Sequence, residues 1–490
     1  MNAIPQVVIV GGGISGLSAA YFLEKQARQA GLDISIHLME QQDRLGGVVL
    51  TEQSSGFLVE GGPDSFLAQK PAAIELCREL GLADQLLPSN DHLRKTYVWQ
   101  GGKLKELPDG LMFVVPTKVW PIFRNDLFSL FGKLRLALSP LLASSQNREP
   151  DISVADYVRQ RLGGQVLERL AEPLLAAVYG GDVDTLSARA VLPQLMALEE
   201  KYGSLWRGIY AARRERASNG GVRTKSSLFV TLRDGVGQLT AALEKQLKRT
   251  QISTQREIVK IGFLGGIGGI GFRVEWKEGA MEADAVILAA PAHATARLIR
   301  ELDARLADQL AGIPYHSSLI VSLGFDEGEM GRELNGFGFL VPRSEGRALI
   351  ACTWVNTKFS HRSAPGHLLL RCFLGGARNP SVLGENDSRI LEITLRELAE
   401  IMGLRAQPKF VRIFRWEKCM PQYAVGHLRR LEEISSLVAG HPGLFLAGNG
   451  YRGIGIPDCI QSSAGAAAAA IQHLQSRSTG QAFRKNPISP

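Results

Sequence analysis

Three glycines and a carboxylate are the residues of this chain best suited to holding a reactive group: Gly11, Gly13 and Gly16 in VVIVGGGISGLSAAYFLEKQ, and Glu40 beyond them. The GxGxxG spacing suits an anion gripped by main chain rather than by side chains. Gly11 permits a tight turn, Gly13 lets a pyrophosphate reach the backbone, and Gly16 lets a helix press on a strand. Anything bulkier at Gly13 takes the phosphate's place. Ile14 and Ser15 lie at the helix start, where unpaired N–H groups face the phosphates. Glu40 ends the next apolar run, Ile34 to Met39, where a carboxylate accepts hydrogen bonds from a ribose. A bound dinucleotide, nicotinamide or flavin, is therefore the expected carrier of the chemistry; the plainer reading is an ordinary glycine-rich turn with a solvated strand-end glutamate.

Other reactive side chains form no constellation. Cys77, Cys352, Cys372, Cys419 and Cys459 are scattered without a CxxC pair, so neither a zinc site nor a disulfide framework is expected, and they read as buried thiols. His427 has no acid at motif spacing and reads as a hydrogen-bonded structural residue rather than a general base.

The elements that must position the glycines follow from periodicity. Val7 to Val10 is a continuous β-branched run without polar alternation, which reads as a buried parallel strand, and Leu17 to Gln29 continues as a helix. Asp284 to Ala290 (DAVILAA) reads as another such strand. Far downstream, in LFLAGNGYRGIGIPDCIQSSAGAAAAAIQHL, a strand at Leu444 to Ala447 leads into a glycine loop, Gly448 to Gly455, and then a small-residue helix. Its N-terminus near Ile456 to Asp458 presents a positive dipole end. Between these lie SLFVTLRDGVGQLTAALEKQL, read as strand, turn and helix, and two strand-like runs, Ile252 to Ile261 and Phe272 to Trp276. The glycine-rich FLGGIGGIG joining them reads as a flexible connection. Residues 111–212 are helix-biased; residues 300–410 carry the strand runs SSLIVSLGF, ALIACTWV and LLLRCFL.

The QQDRLGG that follows Glu40 resembles the acid, arginine and Gly-Gly arrangement of flavin-dependent amine oxidases and desaturases. That resemblance implies FAD, with Arg44 near its phosphates or ring, and Gly46 and Gly47 admitting it close to the chain. EGGPDSFLAQKP (60–71), EPLLAAVYGGDVDTLS (172–187), PQYAVGH (421–427) and GNGYRGIGIPDCI (448–460) narrow it further. Together they are similar to the bacterial oxygen-dependent protoporphyrinogen and coproporphyrinogen III oxidase family, from Val7 to about Gln472. The resemblance implies removal of six electrons from a porphyrinogen, with FAD taking hydride and oxygen reoxidising it to give hydrogen peroxide, in haem biosynthesis. The expected site is broad and apolar, with cations for propionates at its rim.

By the same resemblance Gly62, Pro63 and Asp64 form a flavin-facing turn. Gly448, Ile454, Gly455, Ile456 and Pro457 approach the flavin, Val259 contacts the adenine side, and Trp416 shields the flavin edge. Where other members carry a propionate-pairing arginine this chain has Asp64, so Lys70 is taken as the nearest cation and the propionate partner. Phe337, Phe339, Leu340 and Val341 resemble the loop that packs on the macrocycle. Plainer readings are an exposed lysine before Pro71 and a hairpin edge in an ordinary core.

The expected fold class is α/β, α+β overall: a Rossmann-type FAD-binding domain built from residues 1–90, 222–299 and 411–475. A mixed-sheet substrate domain (91–110 and 300–410) and a helical insertion (111–221) complete it, and 476–490 reads as a disordered tail. With 45% hydrophobic residues the chain can bury large cores. The formal charge of +8 comes from dispersed lysines and arginines, which argues against nucleic acid and for an anionic substrate or lipid. No apolar run is long enough to span a membrane and Met1 to Pro5 lacks signal-peptide features, so a cytoplasmic protein is expected. In TKVWPIFRNDLFSLFGKLRLALSPLL, Leu127, Leu130, Phe131, Leu134 and Leu138 fall at helical spacing beside Lys133 and Arg135. A helix facing its own core is the preferred reading, and peripheral contact with the inner face of the cell membrane is the other. Transfer of product to a ferrochelatase, the oligomeric state and the choice between the two porphyrinogens stay open. Competing functions are a flavin amine oxidase, a carotenoid-type desaturase, or a carrier of FAD or porphyrin without turnover.

Overall fold

The computed structural model describes residues 4–108, 111–112, 115–116, 125–142, 151–218, 227–264, 271–331 and 333–478. Of the tail expected at 476–490, residues 476–478 instead end the last helix, Ile456–Ser478, and the rest lies outside the described residues, as does most of the FLGGIGGIG connection.

A five-stranded, fully parallel sheet gathers distant pieces of chain in the order Thr250–Ser253, Ser35–Met39, Gln6–Val10, Ala285–Leu288, Leu444–Leu446. Val7, Val8 and Ile9 are fully buried, as are Ala285 to Leu288, which is why both runs lack polar alternation. Helix Ile14–Gln29 covers one face and packs along helix Ile456–Ser478, where Ser463 Oγ donates to Ser15 O at 2.8 Å. The alanines of the last helix permit that close approach: Ala467 and Ala470 have no exposed surface.

The run Ile252 to Ile261 is not one strand. Thr250–Ser253 joins the parallel sheet, while Ile258–Phe263 begins a separate three-stranded antiparallel sheet with Phe272–Trp276 and Gly279–Ala283. The break falls at Gln255, whose φ of +53° is left-handed, and the Gln255 and Arg256 amides donate to Gln42 O and Glu40 O instead of to a ladder.

A seven-stranded mixed sheet runs Phe410–Pro421, Tyr315–Asp326, His367–Gly375, Ala351–Trp354, Gly338–Leu340, Thr96–Gln100, Lys103–Glu106. Every pair is antiparallel except Gly338–Leu340 with Thr96–Gln100. Leu319, Val321, Leu370 and Cys372 point to its rear face, under helix Asp387–Met402. Ile320, Leu369, Leu340 and Ala351 point to the front, toward the flavin-expected turn and the helices of residues 151–218. Among those helices, a π-helical turn at Leu167–Ala171 precedes Glu172–Tyr179; Pro173 has no N–H to give the preceding turn.

Helix Leu130–Leu142 corrects the preferred sequence reading. Leu127 and Leu136 are buried, but Leu130, Phe131, Leu134 and Leu138 are 77, 83, 55 and 42% exposed. The apolar stripe faces outward because the core side of the helix is taken by Leu136 and Ser139.

Candidate active site

The glycine turn follows strand Gln6–Val10. Gly11 has φ +104° and donates to Met39 O at 2.8 Å, closing the tight turn. A methyl group at Gly16 would lie 1.8 Å from Gly11 O, so only glycine lets this helix sit so close to the turn. At Gly13 the opposite holds: the nearest atom to an added Cβ is Gly47 Cα at 3.9 Å. Space is open there, above a helix start with no side-chain cap and no acid in its first turn. Uncapped amides at Ile14 and Ser15, the positive helix end and open space at Gly13 together fit a dinucleotide phosphate.

Glu40, buried, accepts from Gly12 N at 2.6 Å and Gln42 N at 2.8 Å. It thus braces the turn, and each oxygen keeps a second lone pair for a ribose hydroxyl. Val259 is exposed and sits at a register shift between Ile258 and Lys260, where the ladder skips its backbone groups. Three residues before it, the Arg256 amide donates to Glu40 O at 2.8 Å.

Gly46 donates to Gly12 O at 2.9 Å, and an added Cβ at Gly47 would be 3.2 Å from Gly13 Cα, so the two glycine turns face one another. The Arg44 guanidinium donates to Gly47 O at 2.6 Å and lies 5.8 Å from the Trp416 ring centre, and Trp416 Nε1 donates to Gly61 O at 2.7 Å. Gly448, with φ +132°, would place a Cβ 3.8 Å from Ser15 Oγ, so the far end of the chain returns to the same helix start. Gly455 N donates to Asp458 Oδ2 at 3.1 Å; Ile456 and Pro457 are buried, and Ile454 packs on the helical core. Tyr423 OH holds Asn449 O at 2.6 Å, and His427, stacked 4.2 Å from the Tyr423 ring, bonds Tyr451 O through Nε2 at 2.9 Å. Burial lowers the His427 pKa, so its ring braces this loop as a neutral group.

Gly62 admits no side chain, since a Cβ would fall 1.7 Å from Val48 O. Beside it, Lys358 Nζ lies 2.9 Å from Asp64 Oδ2, Ser65 Oγ donates to Asp64 Oδ1 at 2.6 Å, and Arg371 Nη1 stands at 3.8 Å. Burial pushes the Asp64 carboxyl up, but the Lys358 and Arg371 charges more than reverse this and hold it well below the carboxylate range. Arg371 also donates to Gly62 O. Behind Asp64, Arg362 Nη1 meets Glu60 Oε1 at 2.6 Å and Nη2 donates to Thr231 Oγ1 at 2.6 Å, while Thr231 Oγ1 donates to Asp64 O at 2.8 Å.

Two expectations need correction. The cations nearest Asp64 are Lys358 and Arg371, not Lys70; Lys70 is exposed and pairs with Asp458 at 2.7 Å, at the start of the last helix. Phe339 and Val341 face the rear core with Trp99 and Leu319, and only Leu340 faces forward, because neighbouring residues of a strand project to opposite sides. Phe337 is buried just before the strand, outside both clusters. Nor is the segment an edge: Gly338–Leu340 is paired on both sides. Sequence reading missed Lys358, Arg362, Arg371 and Phe373, the last lying 4.8 Å beneath the Arg371 guanidinium on the front face. A signal existed in LLLRCFL, an arginine inside an otherwise apolar strand.

Comparison with known proteins completes the description. The family described as flavin containing amine oxidoreductase matches residues 14–471. Coproporphyrinogen III oxidase of Bacillus subtilis (strain 168) is 36% identical over 470 residues, covering 96% of this chain and 98% of the relative. Chloroplastic protoporphyrinogen oxidase 1 of Arabidopsis thaliana is 30% identical, covering 93% of this chain and 86% of its own. A solved structure from Exiguobacterium sp. 255-15, assigned to the protoporphyrinogen oxidases, superposes with a TM-score of 0.84 at 31% identity, over 96% of this chain and 99% of that one.

Proposed function

The chain belongs to the flavin containing amine oxidoreductases, and from that premise we propose that it oxidises coproporphyrinogen III to the porphyrin in haem biosynthesis. Protoporphyrinogen IX is the competing substrate. What most supports this reading is the similarity to the Bacillus subtilis coproporphyrinogen III oxidase across 96% of the chain. The glycine turns also leave room for FAD where the first helix, the Gly46–Gly47 turn and the last helix converge. Bound FAD would supply hydride acceptance and its discharge to oxygen as hydrogen peroxide.

The residues of the chain then hold and orient. Gly11 to Gly16 receive the phosphates; Glu40 and Val259 receive the adenosine half. Arg44, Gly46, Gly47, Gly62 to Asp64, Trp416 and Gly448 to Pro457 surround the ring. On this division residues 1–90, 222–299 and 411–475 serve the cofactor, and residues 91–110, 300–410 and 111–221 enclose the substrate. No step needs a side-chain base, which agrees with a neutral, wedged His427.

Aerobic incubation of the FAD-loaded protein with coproporphyrinogen III, protoporphyrinogen IX and a panel of amines tests the proposal. Porphyrin fluorescence with the highest kcat/KM for coproporphyrinogen is expected. Peroxide from an amine without porphyrin would overturn it, as would a flavin that porphyrinogen leaves oxidised under anaerobic conditions, the mark of a carrier.

Lys70 stays the rim cation of this reading, shared between Asp458 and a substrate propionate. Lys70→Ala is expected to raise KM by up to about fivefold with a smaller change in kcat, as loss of an exposed ion pair worth about 0.2–1 kcal/mol would. Steady-state kinetics with both porphyrinogens read this, and unchanged constants return Lys70 to a purely structural pairing.

The outward stripe on helix Leu130–Leu142 suits peripheral contact with an anionic membrane, with Lys133 on the same helix, whereas Arg135 turns back to donate to Gln160 O at 2.8 Å. No helix among the described residues is long and apolar enough to cross one. Each apolar side chain buried fully contributes roughly 1.5–3 kcal/mol. Leu130→Glu with Phe131→Glu is thus expected to cut co-sedimentation with phosphatidylglycerol-containing vesicles at least tenfold, leaving turnover of dissolved substrate near wild type. Equal sedimentation of both proteins would refute the contact.

A further inference from the structure

The buried charges behind the Gly61–Asp64 turn do not balance. Among the described residues, Lys358, Arg362 and Arg371 meet Glu60 and Asp64 there, all buried or nearly so. Arg362 is matched by Glu60 and Lys358 by Asp64, each within hydrogen-bond distance. Among the described residues Arg371 has no carboxylate that close: Asp64 is 3.8 Å away, and the bond Arg371 makes is to the neutral carbonyl of Gly62. Its ladder neighbours are Ser322 and Thr353, its ring neighbour is Phe373, and its Nε has no partner among the described residues. Ser322 Oγ, equally unpartnered, lines the same small enclosed cavity.

Burying a guanidinium without its own counter-ion is costly, and a hydrophobic residue would fill the strand at lower cost. A fixed cation in a site of low dielectric favours whatever state puts electrons nearest to it. We propose that Arg371 is a positioning residue that acts through the Gly62 carbonyl, and that its unmatched charge makes the bound flavin easier to reduce. The inference rests on the flavin reading of the site. Asp64, fully ionised between two cations, acts in the opposite sense by cancelling part of that charge.

The opposite signs supply the test. The midpoint potential of the FAD-loaded protein is measured by anaerobic photoreduction against a dye of known potential. Arg371→Met is expected to shift it negative and Asp64→Asn to shift it positive, with Arg371→Lys close to wild type. A purely structural role would loosen the turn in both variants and move the two potentials the same way, which would overturn the proposal, as would potentials that do not move. If Arg371→Met fails to fold, Asp64→Asn still carries the sign, and a negative or absent shift refutes the inference. A wild-type chain that takes up no FAD would instead bring down the flavin reading, a separate outcome.

Discussion

Gly13→Ala is expected to give a folded protein that has lost its yellow colour. Gly13 has φ −70° and ψ −176°, a conformation open to alanine, so the backbone does not resist the change. Within the protein the new methyl meets nothing closer than 3.9 Å. The glycine is therefore not required by the chain itself, and on the proposed reading the group that a methyl would exclude there is the cofactor phosphate. Forcing a methyl group against a packed partner costs about 1–3 kcal/mol, or roughly five- to a hundredfold in binding. The measurement is the flavin-to-protein absorbance ratio after desalting, set beside the melting midpoint of flavin-free protein, which should barely change. Gly16→Ala is the contrasting variant, because its methyl would fall 1.8 Å from a backbone oxygen and disturb the fold with or without flavin. A Gly13→Ala protein that stays fully loaded would remove the phosphate from this place.

Arg362→Met is expected to cost about 3–5 kcal/mol of stability, the range for a buried ion pair that loses one partner. The side chains of Arg362 and Glu60 are 1 and 3% exposed and meet at 2.6 Å. Glu60 also accepts from Thr51 Oγ1 at 2.6 Å and Val236 N at 2.8 Å, so it cannot swing out to water when Arg362 is gone. The neutral pair Glu60→Gln with Arg362→Met should recover much of the loss, since the amide oxygen can still accept from Val236 N and the amide N–H can donate to Thr51 Oγ1, while no charge is stranded. Urea midpoints of the first unfolding transition compare the three proteins. A single variant as stable as wild type would mean that Glu60 finds another partner. The two predictions separate cleanly: the first removes flavin and spares the fold, the second weakens the fold itself.

These two sites differ in how visible they were beforehand. The glycine turn was legible because its causes are local: a left-handed φ at Gly11, a vanishing clearance at Gly16 and an open one at Gly13 each act over a few residues. The joining of Glu60, Asp64, Thr231, Lys358, Arg362 and Arg371 was not, because the cluster draws on four separate stretches of chain. Asp64 stood out through its turn motif and Arg371 as a charge inside an apolar strand, but nothing local tied either to the other four residues. Lys70 illustrates the same limit: proximity in sequence to Asp64 suggested a partnership, whereas in space Lys70 lies against Asp458.

By itself the sequence determined the parallel-strand runs, the glycine turn, the acid that ends the second strand and the return of the last helix. Those depend on backbone conformation and on β-branched and small residues acting on near neighbours. Tertiary structure alone decided which side of each element is the inside. Strand alternation states that Phe339 and Leu340 oppose one another, but the packing of helix Asp387–Met402 on one face made Phe339 the rear residue. Helical spacing groups Leu130, Phe131, Leu134 and Leu138, yet Leu136 and Ser139 won the core and turned that stripe outward. A period fixes relative direction along one element, and only contacts between elements break the tie.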